Sequence, residues 1–203
     1  LMLNNFFTYL NNKSIDLIVG KFISTTAAGL YSISKEMATL PSSEIAAPIN
    51  KASFPAYSRE KNNPIELRKL FYRTTSMITI IALPASMGLF ITAEYFVPVV
   101  LGQQWVEAIP VIQLLSIYAF ISSISSNNGY VFLAVGKPQI TTLISGIRIA
   151  SFFFLIFTFD LVNTIEQPAQ ALIYSALINI LVAYTWLRKE INLSLRKLLT
   201  INS

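Results

Sequence analysis

From 108 to 136 the chain runs 29 residues without a charged side chain. Residues 74–93 and 167–187 are also free of charge, and 138–159 carries Arg148 alone. A hydrocarbon core of ~30 Å takes about 20 mostly apolar residues in a helix. The pattern predicts an all-α fold, a polytopic transmembrane helix bundle of six spans at 4–22, 27–54, 74–99, 108–133, 140–159 and 169–187. The last four follow from hydropathy. The first two are weaker, because they carry Lys13, Asp16, Lys21, Lys35, Glu36, Glu44 and Lys51; read alone, they fit amphipathic surface helices. A basic loop at 57–73 and a tail at 188–203 complete the layout.

Charge sets the direction of threading. Arg59, Lys61, Arg68, Lys69 and Arg73 crowd between the second and third spans, Lys137 lies between the fourth and fifth, and Arg188, Lys189, Arg196 and Lys197 follow the sixth. The alternate loops, 102–108 and 160–168, contain no Lys or Arg. This fits the positive-inside rule with both ends of the segment cytoplasmic, provided the first two spans cross twice; Lys21 is the exception. Tyr95, Phe96 and Trp105 at the outer side, with Tyr184 and Trp186 at the inner side, read as interfacial anchors. The net charge of +5 is therefore a topology signal, and no nucleic-acid partner is expected. Only 12% of residues are charged, against roughly 25% in soluble domains. The absence of cysteine and histidine removes thiol chemistry, the commonest zinc ligands and the usual general base. No cofactor is expected. The chain opens on Leu1 rather than Met, so a piece of a longer reading frame is expected.

Ionisable groups at membrane depth cost about 2.5–3.5 kcal/mol each on insertion scales and persist by pairing or by lining water. On the second span, Glu36, Ser43, Glu44, Asn50 and Lys51 fall within about 120° of one another at 100° per residue. Lys35 falls outside that stripe. Pro41 and Pro48 lie inside the same helix and are expected to kink it. A polar stripe beside two prolines suggests a wall facing a hydrated cavity. On the first span, Lys13 and Asp16 stand three apart and can pair. Asn127 and Asn128, after a serine-rich stretch, read either as interhelical hydrogen-bond glue or as contacts for a hydroxyl-rich ligand. Arg148, central in the fifth span, cannot shed its charge and so needs a carboxylate, a set of carbonyls, water or an anionic ligand, which makes it a functional candidate. The substrate-path candidates are thus Asp16, Lys35, Glu36, Glu44, Asn50, Lys51, Asn127, Asn128 and Arg148.

The residues Asp16-Leu17-Ile18-Val19-Gly20 and Gly29-Leu30-Tyr31 resemble the start of the C-terminal half of polysaccharide-exporting flippases, within the multidrug/oligosaccharidyl-lipid/polysaccharide exporter superfamily. Glu36 to Pro41, Ala47-Pro48-Ile49-Asn50, Phe54 to Arg59, Pro64 with Leu67-Arg68, the Leu101-Gly102-Gln103-Gln104-Trp105 outer loop and Gly136-Lys137-Pro138 continue the likeness in order and spacing. The resemblance implies one lobe of a two-lobed exporter, its partner lobe belonging to the same protein. It implies the movement of polyprenyl-diphosphate-linked oligosaccharide for O-antigen or capsule across the bacterial inner membrane, by alternating access and without catalysis. It also implies membrane lipid and a polysaccharide polymerase as partners, and basic cavity residues holding the diphosphate. Asp16, Glu36, Pro41, Pro48 and Asn50 fall on motif positions; the role of Arg148 is read from its own chemistry.

Two other classes remain. A drug or metabolite antiporter of the same superfamily would favour an acidic cavity, whereas cations here at least equal anions at depth. An integral-membrane transferase would want clustered carboxylates or histidines near one interface. No Gly-rich nucleotide loop is present, so energy would come from the membrane potential, an ion gradient (with Glu44 as its site) or downstream consumption. A potential negative inside favours outward movement of a doubly charged headgroup by roughly 4–5 kcal/mol per 100 mV.

Overall fold

The computed structural model describes residue 15 and residues 17–191. The described part is helical, with no strand. After a helical segment at 17–22, the helices are α1 (Thr25–Pro41), α2 (Ala47–Arg59), α3 (Pro64–Phe96), α4 (Ile109–Ala134), α5 (Pro138–Thr158) and α6 (Gln167–Ile191). Pro64–Leu101, Gln103–Ala134, Pro138–Thr158 and Gln167–Ile191 are long and apolar enough to cross a membrane. They correspond to the last four expected spans. The first expected span falls mostly outside the described residues, as do Asp16 and its pairing with Lys13.

The basic segment expected as a loop at 57–73 is mostly helical. Helix α2 runs to Arg59 and α3 starts at Pro64, leaving a turn of only 60–63. Asn63 caps α3, its side-chain oxygen accepting from the Glu66 backbone N–H at 3.3 Å, and Pro64 occupies the first turn, where its missing donor costs nothing. With 33 residues, α3 is about 50 Å long and overshoots the ~30 Å hydrocarbon. Its basic first turns are an extension of the helix. Hydropathy marks where lipid would end, which is not where this helix ends.

Between Pro41 and Pro48 the chain makes a wide π-type turn at Ser42–Ala46 and continues as helix. Neither proline can donate to the preceding turn, and a wider turn absorbs the missing bonds. A second such turn, Val97–Leu101, contains Pro98 and stops at Gly102.

Two glycines are required by the backbone. Gly102 has φ +100, and a side chain there would run into Gln104. Gly136, at φ +77, ends α4: its N–H donates to the Leu133 carbonyl and that of Lys137 to the Phe132 carbonyl. That is the Schellman arrangement, which favours glycine. It reverses the chain into α5, and Lys137 then pairs with Glu190 of α6 at 2.7 Å.

The bundle has an apolar core at each end. At one end Tyr57, Leu67, Phe71, Phe132, Ile140, Leu187 and Ile191 pack together, next to the α2–α3 and α4–α5 turns. At the other, Tyr31, Val111, Leu115, Phe152, Ile156 and Leu172 do so. Between them lies a belt of polar side chains, bridged on the α2–α3 side by Ala46, Ile78 and Ala82. The outward surface of the long helices is apolar, with Ile80, Phe154 and Leu181 each more than 60% exposed, as a lipid-facing surface would be.

Replacing Gly102 with Ala should destabilise the protein by about 1–3 kcal/mol, because its φ is nearly closed to other residues. Gly88→Ala, inside α3 with nothing near its Cβ position, should be neutral or stabilising by up to about 1 kcal/mol. Thermal unfolding of the detergent-solubilised protein checks both.

Candidate functional site

Serine and threonine hydroxyls in this bundle mostly bond back to their own helix. Ser116 donates to the Ile112 carbonyl, Ser123 to Ala119 and Ser125 to Ile121, each at 2.7–2.8 Å. Such groups need nothing from a neighbour. The polar belt is built from the side chains that do more than this.

Asn127 is wholly buried and fully used. It donates to the Phe71 carbonyl at 3.3 Å and to the Thr75 hydroxyl at 2.9 Å, and accepts from the Tyr57 hydroxyl at 2.9 Å. Burial pushes the Tyr57 hydroxyl above its ordinary value of 10.0, against the pull of its hydrogen bonds to Thr74 and Asn127. Tyr57 therefore stays a neutral donor through the physiological range. Nearby, Thr74 donates to Ser53, and Asn50 donates to Ser126 at 2.6 Å. These bonds lock α2, α3 and α4 together.

On the other side of α4 the belt opens into a cleft of about 200 Å³ between α4 and α5, with α6 as its floor. Ser122, Ser125, Ser126 and Asn128 line it from α4, Thr141, Ser145 and Arg148 from α5, and Asn179 from α6. The two walls meet mainly through α6, which packs closely on both, and touch each other less. Gly129 keeps the near wall low, its Cβ position lying 3.5 Å from Thr141 Cγ2. Arg148 is about 15 Å along α5, so the cleft reaches the middle of the bundle.

Several groups here have no partner. Arg148 Nε and Thr141 Oγ1 are buried without a hydrogen bond. Among the described residues Arg148 forms no ion pair, and no carboxylate lines the cleft. Asn179 spends its amide N–H on the Ile144 carbonyl at 3.0 Å, leaving its side-chain oxygen as an acceptor. The arrangement offers a permanent cation, neutral donors and acceptors, and no acid, base or nucleophile pair. Such groups suit an oxygen-rich ligand.

The expected site residues divide accordingly. Arg148 and Asn128 share the cleft. Asn127, next to Asn128, is structural. The stripe on the second span does not hold together: Glu36, Ser43, Glu44 and Lys51 face outward, whereas Asn50 is wholly buried. The π-type turn at Ser42–Ala46 shifts the register that a uniform 100° step assumes. Lys35 is half-buried. None of the charged members of that stripe lines the cleft. Thr141, Ser145 and Asn179 were not anticipated. Thr141, Ser145 and Arg148 are four and three apart, which puts them on one helix face, and that spacing was there to be found.

The family described as "Polysaccharide biosynthesis protein" matches residues 1–110. Among curated proteins, the lipopolysaccharide biosynthesis protein WzxC of Escherichia coli (strain K12) is 30% identical over 133 residues, covering 66% of this chain and 27% of that protein. The teichuronic acid biosynthesis protein TuaB of Bacillus subtilis (strain 168) is 28% identical over 128 residues, 63% of this chain and 26% of that one. A membrane protein of the cps region of Klebsiella pneumoniae is 27% identical over 191 residues, 94% of this chain and 39% of that one. The chain thus spans well under half the length of each. No solved structure matches. The cleft residues, all beyond 110, lie outside the segment that the family description covers.

Asn127→Leu should cost about 1–3 kcal/mol, since it strands three partners in the interior. Asn128→Leu should leave stability within about 0.5 kcal/mol, because no side-chain bond among the described residues depends on it. Unfolding of the two variants in detergent micelles, side by side, measures the contrast.

Proposed function

Since the chain belongs to the polysaccharide biosynthesis protein family and is a multi-pass membrane protein, we propose that it is part of a flippase. The flippase moves polyprenyl-diphosphate-linked oligosaccharide units across the bacterial inner membrane for surface polysaccharide. This chain supplies the C-terminal lobe with six spans, and another region of the same protein supplies the other lobe. The observation that carries the reading is the polar cleft with its unpaired arginine at the mid-depth of helices whose outer faces are apolar.

The physical task is to take a charged, sugar-bearing headgroup through ~30 Å of hydrocarbon while its lipid tail stays outside. A hydroxyl-lined path with fixed donors replaces water for the sugar. Arg148 compensates negative charge at the depth where water is scarcest. Glu36, Ser43, Glu44 and Lys51, exposed along α1, the π-type turn and α2, would be costly against lipid; they turn toward the other lobe and line the path with Lys35, while buried Asn50 ties that wall to α4 through Ser126. Asp16, outside the described residues, is assigned to the same path. The wide turn between Pro41 and Pro48 is where this wall yields as the lobes rock.

The ends of the bundle support the threading. Arg59, Lys61, Arg68, Lys69 and Arg73 flank the α2–α3 turn, and Lys137 and Lys189 belong to the same end as the Tyr57 core. That end is cytoplasmic. Residues 102–108 and 160–166, without Lys or Arg, face outward. The transported unit would then pass to a polysaccharide polymerase on the outer side.

In the complete protein, Arg148→Ala or Lys51→Ala should cut surface polysaccharide by about 10-fold or more, the worth of a charge-assisted contact, with the protein's membrane level unchanged. Lipid-linked units should accumulate on the inner leaflet. Quantifying polysaccharide beside an immunoblot reads the outcome; normal polysaccharide in both variants contradicts the reading.

A further inference from the structure

The α4–α5 cleft differs from a general polar path in three respects: its size, its single charge and the unused polar groups in its lining. At about 200 Å³ it lies below the usual ~300–1,000 Å³ of ligand pockets. It has room for one sugar ring and none for an oligosaccharide with its diphosphate. Its lining carries one cation, Arg148, and no other charge. A diphosphate would bring at least one negative charge in excess, and an uncompensated buried charge is penalised by several kcal/mol. A carboxylate brings one charge, and its two oxygens match the guanidinium fork.

The remaining groups suit a sugar. Ser122 and Asn128 make no side-chain hydrogen bond among the described residues, the Thr141 hydroxyl is buried without a partner, and Asn179 keeps an acceptor. Those are neutral donors and acceptors arranged around the cation, as ring hydroxyls around a carboxylate require. The geometry points to a subsite for a single acidic sugar, a uronate-type residue of the transported unit, with its carboxylate on Arg148 and its hydroxyls on Ser122, Asn128, Thr141 and Asn179. This rests on the transport reading above and names which part of the cargo this chain recognises. The subsite makes the transporter selective for units that carry a carboxylate. The diphosphate is held elsewhere.

The test uses the complete protein carrying this sequence, purified in detergent, with sodium glucuronate, glucose and inorganic pyrophosphate as probes. Excess glucuronate should raise Tm by about 2–4 °C. Glucose should leave it unchanged, and pyrophosphate should give a smaller shift than glucuronate. Arg148→Gln should abolish the glucuronate shift, and Arg148→Lys should weaken it. Thr141→Val keeps the volume and removes one hydroxyl, so it should lower glucuronate affinity by about 2–10-fold, and it serves where Arg148→Gln fails to fold. A glucuronate shift that survives Arg148→Gln, a larger shift with pyrophosphate, or unchanged affinity in Thr141→Val overturns the proposal. Vesicle transport separates this from the parent reading. Failure to flip either an acidic or a neutral lipid-linked unit, beside an intact glucuronate shift, sinks the transport reading and keeps the subsite. Equal loss of both units in Arg148→Gln, without a glucuronate shift in the parent protein, sinks the subsite and keeps transport.

Discussion

In hydrocarbon every polar group must find its partner within the protein. That constraint orders this structure. Helical hydroxyls turn back onto their own carbonyls, as Ser116, Ser123 and Thr79 do. Asparagines that cannot do so are placed where several helices meet, and Asn127 satisfies donors and acceptors from both α2 and α3. Asn50 Oδ1 and Ser86 Oγ are buried without a hydrogen bond elsewhere, but in the α4–α5 cleft two such groups, Thr141 Oγ1 and Arg148 Nε, lie together and one of them is charged. A permanent cation with a buried, unpartnered Nε is tolerable only beside water or an anion.

The same constraint explains the division of the bundle into two apolar cores with a polar belt between them. The ends of the helices are held by aromatic and branched side chains around Tyr57 and around Tyr31. The middle is held by hydrogen bonds on the α2–α3 side of α4 and left open on the α5 side. Adjacent residues on α4 therefore do opposite work: Asn127 fixes the bundle, and Asn128, one 100° step around, faces the space that a ligand can enter. Rigidity on one side keeps the cleft's groups in position, as the proposed subsite requires if it is to bind without large ordering costs.

Much of this was legible in the sequence, and the failures have physical causes. The uncharged runs located α4, α5 and α6 to within a few residues, because length and hydropathy are what a bilayer selects. The same signal missed the first turns of α3, where Arg68, Lys69 and Arg73 are helical although they are charged. Arg148 is conspicuous as a lone cation in an apolar span, and it lines the cleft. Asn127 and Asn128 were not separable, since neighbours in a sequence give no hint of which one a buried Tyr57 will reach. The stripe through Asn50 assumed a uniform helix, and the turn between Pro41 and Pro48 broke that assumption. The face formed by Thr141, Ser145 and Arg148 exists in the sequence only as spacing, which carries little signal because threonine and serine in apolar helices are usually self-satisfied.

The central claim is that the cleft beside Arg148 holds water and accepts polar solutes at the mid-depth of a membrane bundle. The chain has no cysteine, so once any cysteine in the rest of the protein is replaced, a single introduced thiol reports on its position alone. Cysteine placed at Ser122, in the cleft, should react with a membrane-impermeant charged thiol reagent in sealed vesicles opened to the appropriate side. Cysteine at Phe154, 65% exposed on the apolar outer face, should stay unmodified. Modification of Phe154→Cys with protection of Ser122→Cys would mean that the cleft is dry and the outer face wet, and would contradict the account.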